Sequence, residues 1–323
     1  MKLGLAGDAM LGRLVGERLR RDPPPALFAD GVVEVAAEAD LLVINLECCI
    51  SERGHRWPDP GKPFFFRAPP RAVESLLSLG VDCVTLANNH ALDYGAEALL
   101  DTFEHLADAG IAWVGAGPDL ERARAPALLA REGIRLAVIG MTDHPAEFAA
   151  TVDRPGVAHV DLRGDGLGWV ADSVGGADAD VVLVTPHWGP NMVQRPVPRV
   201  RRAARHLVAA GADLVAGHSA HVFHGVEGRV LYDLGDLIDD YAVDDRLRND
   251  LGLFFLVTLD AGGPTRIEAV PLVLNVGYTR LADRAEWGWI ADRFTAACTE
   301  HGTEVRREDG RLVIDPVAPG PAG

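Results

Sequence analysis

The chain has 323 residues, 48% of them hydrophobic, which is enough to bury a sizeable core in one large α/β unit or in two smaller ones. With 31 Lys+Arg against 47 Asp+Glu the formal net charge is −16, which argues against a general nucleic-acid binder, because neutralising phosphates needs a basic surface. An anionic small-molecule or polymeric substrate stays open, since a bound metal ion reverses the local field. No run approaches the roughly 18 apolar residues of a membrane-spanning helix, so membrane insertion is not expected. The opening MKLGLAGDAM meets Asp8 too early for a secretory signal. Cys48, Cys49, Cys83 and Cys298 fit neither a disulfide framework nor a CxxC zinc pattern, and a reducing, cytoplasmic setting is expected.

In chain order, LGLAG and LLVINL are short buried runs ending at Asp8 and Glu47. Residues 70–79 place Val73, Leu76 and Leu77 on one helical face and stop at Gly80; VDCVTL follows and leads to Asn88, Asn89 and His90. Residues 96–109 align Ala96, Leu99, Leu100, Phe103 and Leu106, stop at Gly110, and give way to IAWVGAG. A hairpin is expected over 125–141, turning at 131–133. DVVLVTP ends in His187; the helix 199–210 (Val200, Ala204, Leu207, Val208) precedes Gly211, ADLVAG and His218, with His221 three residues on. A second hairpin is expected over 222–236, extended runs at 252–259 and 266–273, a helix over 283–300, and a short terminal hairpin. Helix, glycine and buried strand in repetition, mixed with hairpins, read as α/β with mixed sheets or two packed sheets. We expect a single domain over 1–315, with 316–323 as a flexible tail.

Five strand ends therefore carry Asp, Glu, Asn or His, at the place where open α/β sheets form their ligand crevice. Each position also has a plainer explanation. Asp8 could cap a helix starting near residue 10, Asn88–Asn89 could make a turn, and a lone His after a strand is usually a hydrogen-bonded structural residue. Their convergence points instead to a metal centre with O and N donors. His105, His206 and His301 are expected at the surface.

The blocks GDAMLGR (7–13), NLE (45–47), FRAPP (66–70), ANNHALDYG (87–95), HWG (187–189), GHSAHVFHGVE (217–227) and YDLGD (232–236) occur in the order of the CapA family, which the chain resembles over roughly residues 1–260. That family is linked to bacterial capsule synthesis and poly-γ-glutamate. The resemblance implies a metallophosphoesterase-like, four-layer α-β-β-α sandwich of two mixed sheets with metal at the strand ends. Carried over, Asp8 would hold one metal, Glu47 bridge two, Asn89, His187 and His218 complete the second, and His221 return to the first. His90 would protonate a leaving group, with Asp93 either orienting it or serving as a turn residue. Arg13 and Arg67 would clamp an anion, or else form surface ion pairs, and Asn88 would contact substrate. A surface ion pair is the expectation for Lys62.

The sequence departs from the family pattern at Met10, where metallophosphoesterases place a histidine, at HSAH (218–221), at Asn191 in place of a glutamate, and at Asp236 in place of an asparagine. The membrane anchor usual in that family is not expected here. One or two divalent ions are expected; the mixed donors suit Mn, Fe or Zn, with Mg as the remaining option. The loop 52–66 is either one wall of the pocket or an ordinary packed loop, and 236–245 is expected as a solvated acidic loop. The implied activity is hydrolysis of a phosphoester or γ-glutamyl amide by a metal-bound hydroxide. The alternatives are a non-catalytic accessory that binds a polyanion through retained metal, and a metal-assisted ligase or transferase.

Overall fold

A computed structural model describes residues 1–21, 26–164 and 166–316, so all but the first residue of the expected tail lies outside the described residues. Two mixed sheets carry the molecule. The larger runs, in spatial order, Arg306–Glu308, Arg311–Ile314, Gly263–Asn275, Leu251–Asp260, Lys2–Ala9, Leu41–Leu46, Cys83–Thr85 and Ala112–Val114, with Asp236–Ile238 added beside Lys2–Ala9. Its last four strands are parallel, and Leu251–Asp260 joins them antiparallel. The smaller runs Val226–Glu227, Val230–Leu231, Leu214–Ala216, Val181–His187, Ile134–Thr142 and Ala127–Arg131, and the hairpins expected at 125–141 and 222–236 are its two edges.

Strand alternation sorts the side chains into layers. Leu3, Leu5, Leu41 and Val43 meet Val138, Val181, Leu183 and Leu214 between the sheets. On the outer face of the large sheet Leu42, Ile44 and Leu46 pack with helices Arg13–Leu19, Ala72–Leu79 and Gly95–Asp108. On the outer face of the small sheet Ile139, Val182 and Val184 pack with helices Gly168–Gly175 and Pro198–Ala209. This is the expected four-layer arrangement. The helix Arg284–Thr299, started by an Asp283–Glu286 capping box, differs in sending Ile290 and Phe294 into the inter-sheet layer.

Some details depart from the periodicity. The buried stripe of Ala72–Leu79 is Ala72, Leu76 and Leu79, so Leu77 is exposed, as is Leu100 on the next helix. His206 is exposed, but His301 packs its ring 5.1 Å from Tyr232 at the small sheet's edge, where Glu227 faces it at 3.5 Å. All four cysteines are free and buried. No helix among the described residues is long and apolar enough to cross a membrane.

The alternation also determines which strand-end residues can meet. Asn45 and Glu47 continue the inter-sheet row of Leu41 and Val43, and Thr185 and His187 continue that of Val181 and Leu183. Asp8 would fall on the opposite row, with Ala6 and the outer helices. A bulge prevents this: Ala6 pairs with Ile44 but Asp8 with Asn45, so one extra residue, Gly7, turns Asp8 inward. Gly7 sits where a Cβ would lie 1.8 Å from the Gly235 carbonyl oxygen, which accepts the Asp8 N–H at 3.0 Å. Gly7→Ala is therefore expected to cost about 3 kcal/mol in urea unfolding, the upper end of overpacking penalties. Gly288→Ala, on the helix Arg284–Thr299 with nothing within 4 Å of the new Cβ, should gain up to about 1 kcal/mol. Equal stabilities for wild type and Gly7→Ala would show that the bulge tolerates a side chain.

Candidate metal centre

Asp8 lies at the join of the two sheets. Asn45 Nδ2 donates to its Oδ1 at 2.6 Å and stands 3.4 Å from His187 Nδ1. Asn88 Nδ2 donates to Asn45 Oδ1 and to the Leu46 carbonyl, each at 2.9 Å, while its own Oδ1 accepts the His90 N–H at 3.0 Å. Asn88, expected to touch substrate, is thus fully buried and committed to holding Asn45 and the backbone of His90 in place. Nor is Asp8 a helix cap: it lies inside its strand, and Gly12 precedes the first helix.

From the small sheet, His187 and His218 bridge through their backbones, with ring nitrogens 2.9 Å apart. His218 Nδ1 is 3.7 Å from Asp8 Oδ1, and Thr185 Oγ1 lies 3.0 Å from its Nε2. His221 Nδ1 lies 3.2 Å from Asp8 Oδ2, 2.9 Å from Asp236 Oδ1 and 4.0 Å from Glu47 Oε2. Glu47 Oε1 stands 4.0 Å from His187 Nε2 and 3.9 Å from His90 Nε2. Two groups of three donors come within 4.8 Å of one another, Asp8–His187–His218 and Asp8–His221–Asp236, with Asp8 common to both. Asp8 Oδ2, Glu47 Oε1, Asn89 Oδ1, His187 Nε2 and Asp236 Oδ2 are buried without a hydrogen-bond partner among the described residues. So many orphaned acceptors would be costly in a purely structural cluster, and they fit a divalent cation. Met10 supplies no donor: it is fully buried, and its sulfur accepts the Gly12 N–H at 3.2 Å.

Beside these donors, His90 Nδ1 and Asp93 Oδ2 are 2.5 Å apart, and the same oxygen accepts the Phe66 N–H at 2.6 Å. Of the two readings of Asp93, orientation of His90 is the one the geometry supports. Phe66 stacks on the His90 ring at 3.8 Å, so the loop 52–66 is a wall of the site. Lys62, expected at the surface, is drawn in: Nζ donates to the Asn89 carbonyl at 2.8 Å and pairs with Asp93 Oδ1 at 2.9 Å. Arg13 pairs with Asp240 and lies 5.3 Å from the Phe66 ring centre and 5.7 Å from that of Tyr241. Arg67 points elsewhere, donating to the Arg53 carbonyl at 2.8 Å and stacking 4.1 Å over Tyr94.

The acidic segment 236–245 is not solvated over its first half: Asp236, Asp239 and Asp240 are buried, and the Tyr241 hydroxyl donates to Glu47 Oε2 at 3.2 Å. Spacing gave no sign of Tyr241, because the strand pairing of Asp8 with Asp236 is what folds this segment over the centre. The loop bearing His218 and His221 is tied down by residues the sequence reading passed over. Asp233 accepts the N–H groups of Ala220 (2.8 Å) and Gly235 (2.9 Å), and His224 Nε2 donates to the Val193 carbonyl at 2.8 Å. Ser219 and His221 take positive φ (120° and 58°), a strained backbone that these ties sustain. Asn191 Nδ2 is 3.2 Å from His221 Nε2.

Burial dominates the electrostatics. It pushes His90 and His218 down to about 4 and His187 well below its ordinary value. Burial, with the charge of Asp8, raises Glu47 well above the usual range, and burial raises Asp236 despite the pull of His221. Burial opposes charge on His221 too, but Asp236 and Glu47 raise it well above normal. Asp8 stays lowered, because His221, His218 and Asn45 outweigh its desolvation.

The class comes from the fold. A putative 5′-nucleotidase from Staphylococcus aureus, solved in complex with alpha-ketoglutarate, is similar with a TM-score of 0.51 at 11% identity, covering 91% of this chain and 58% of that one. The molecule shares the mixed α/β sandwich fold of that protein. Residues 2–241 match the family model described as "Bacterial capsule synthesis protein PGA_cap", and the chain belongs to that family. A probable polyglutamine synthesis accessory protein of Mycobacterium tuberculosis is 32% identical over 97% of this chain and 96% of its own length. The capsule biosynthesis protein CapA of Bacillus anthracis is 29% identical over 74% of this chain and 60% of its own.

His224 offers a clean test of how the histidine loop is held. Burial lowers it to about 4, below the roughly 6.5 of an unfolded histidine. The unfolded chain therefore binds more protons between these values, and stability falls as pH drops from 6.5 towards 4, by about 3 kcal/mol. His224→Gln keeps an N–H donor and removes the titration. Its unfolding free energy should fall less steeply over that pH range; an unchanged slope would show that His224 is not held neutral.

Proposed function

We propose that this protein is a metal-dependent hydrolase acting on a phosphoester or γ-glutamyl amide bond, with Asp8, Glu47, Asn89, His187, His218, His221 and Asp236 holding one or two divalent ions. Imidazole donors beside carboxylates favour Mn, Fe or Zn over Mg. When bound, the metal activates water and neutralises charge developing on the scissile group. The observation that carries catalysis, beyond mere binding, is the His90–Asp93 pair at 2.5 Å beside the orphaned donors. With its Nδ1 proton directed at Asp93, His90 keeps an unprotonated Nε2 on the side of Glu47, where it would take a proton from the attacking water and then pass that proton to the leaving group. Lys62 fixes the other oxygen of Asp93, and Phe66 holds the imidazole plane. Tyr241 orients Glu47 through Oε2, leaving Oε1 for a cation.

An accessory role that retains the metal without turnover is favoured by the name of the Mycobacterium tuberculosis relative, a probable polyglutamine synthesis accessory protein, and by Met10, which leaves one ligand fewer than the metallophosphoesterase pattern. Metal analysis and turnover separate the two. Asp8→Ala should abolish metal binding, since Asp8 belongs to both donor groups, whereas Asp236→Ala should lose only the ion shared with His221. His90→Ala should keep the full metal content and lose at least about 100-fold in hydrolysis, the usual size of a general-acid contribution. Full activity in metal-loaded His90→Ala would remove the proton-transfer role. No hydrolysis by metal-loaded wild type, across phosphoesters and γ-glutamyl oligomers, would leave the accessory reading.

A further inference from the structure

A cavity of ≈ 550 Å³ opens beside the small-sheet half of the centre, lined in part by Asp143, His144, His159, Arg163, Asn191 and Arg199. It touches the centre at two points. The His144 ring centre is 5.2 Å from that of His187, and Asn191 bonds His221. Asp143 organises its wall: the backbone N–H of Asp143 donates to the His187 carbonyl at 3.1 Å, and its carboxylate accepts the Gly189 N–H at 3.2 Å. The same carboxylate holds His144 Nδ1 at 2.5 Å and Arg199 Nε at 3.6 Å. This leaves His144 Nε2 and the end of the Arg199 guanidinium for a ligand. Arg163 forms no ion pair among the described residues, and its backbone N–H is held by Asp161 Oδ1 at 2.8 Å. In a chain of formal net charge −16, two arginines and two histidines converging on one cavity next to the centre call for an explanation that fold stability does not provide.

We propose that this cavity is the substrate-recognition subsite, and that it takes an anionic group, carboxylate or phosphate, borne by the part of the substrate that extends past His187. Arg199 is the principal contact, because its guanidinium, ion-paired with Asp143 on its Nε side at 3.6 Å, has its terminal N–H groups for bidentate binding of either anion. Arg163 supplies a second, more mobile charge, and Asp143 is a positioning residue. The proposal rests on the hydrolase or metal-binding reading of the adjacent centre only for where the substrate lies.

The test is calorimetric binding of two probes to metal-loaded protein, an oligomer of γ-linked glutamate and inorganic phosphate, with metal content measured on every variant. Arg199→Met is expected to weaken the recognised probe at least tenfold, Arg199→Lys to recover part of that loss, and Arg163→Met to weaken it less, all with unchanged metal content. An effect confined to the glutamate oligomer identifies a carboxylate-bearing chain; one confined to phosphate identifies a phosphoester. If neither probe binds, or if affinities are the same in Arg199→Met and wild type, the subsite is overturned, whatever His90→Ala does to turnover. Binding that depends on Arg199 without any hydrolysis would keep the subsite and refute the catalytic reading.

Discussion

Asp8, Glu47 and Asp236 lie buried within reach of the same histidine, His221, and at neutral pH three carboxylates cannot share that volume without compensation. The protein supplies part of it. Asp236 and Glu47 raise His221 above its ordinary value, Asn45 donates to Asp8, Tyr241 donates to Glu47, and burial raises Glu47. What remains is a set of oxygen and nitrogen atoms with no partner, aimed at common points. Much of the surrounding structure serves to hold this arrangement: Asn88 braces Asn45, Asp233 braces the histidine loop, and Lys62 braces Asp93. Such bracing confers little stability of its own. Its effect is to keep an electrostatically strained cluster from relaxing by moving apart.

The aromatic side of the site works on a different principle. Phe66 covers the His90 ring, and Arg13, fixed by Asp240, spans Phe66 and Tyr241. Arg13 thus closes a stack whose members come from the first helix, the loop before residue 67 and the acidic segment. An arginine in this position neutralises Asp240 and seals the wall, which sets it apart from Arg199, whose guanidinium faces the open cavity. The two sheets accordingly contribute unlike halves, a packed aromatic wall from one and a polar, cationic cavity from the other.

The architecture was legible because it rests on local signals: glycine-stopped helices, fully apolar parallel strands and hairpin turns at 131–133 and 227–228. The meeting of Asp8, Glu47, His187, His218 and His221 was legible as well, since they sit where strand ends must converge. What escaped depends on pairing between distant segments. Asp236 through Tyr241 read as a charged loop because nothing local reveals that Asp236 pairs with Asp8. Lys62 read as a surface cation because its partner, Asp93, lies 31 residues away across a fold in the chain. Asn88 read as a contact residue because it adjoins Asn89, yet its amide is turned back into the sheet. Leu77 and His301 show the same limit on a smaller scale, where periodicity gives a face but not what covers it.

The extra residue in the first strand separates two properties that usually travel together. The core is built by residues on both sides of Gly7: Leu3 and Leu5 precede the bulge, Ala9 and Met10 follow it. The centre, by contrast, depends on the phase after the bulge. Were the strand to pair regularly at unchanged length, Asp8 would join the row of Ala6 and turn away from the histidines; were Gly7 lost instead, Asp8 would follow Ala6 directly and still face the row of Asn45. The carboxylate thus faces the histidines because one residue is left out of the ladder, a matter of pairing that residue identity alone does not disclose.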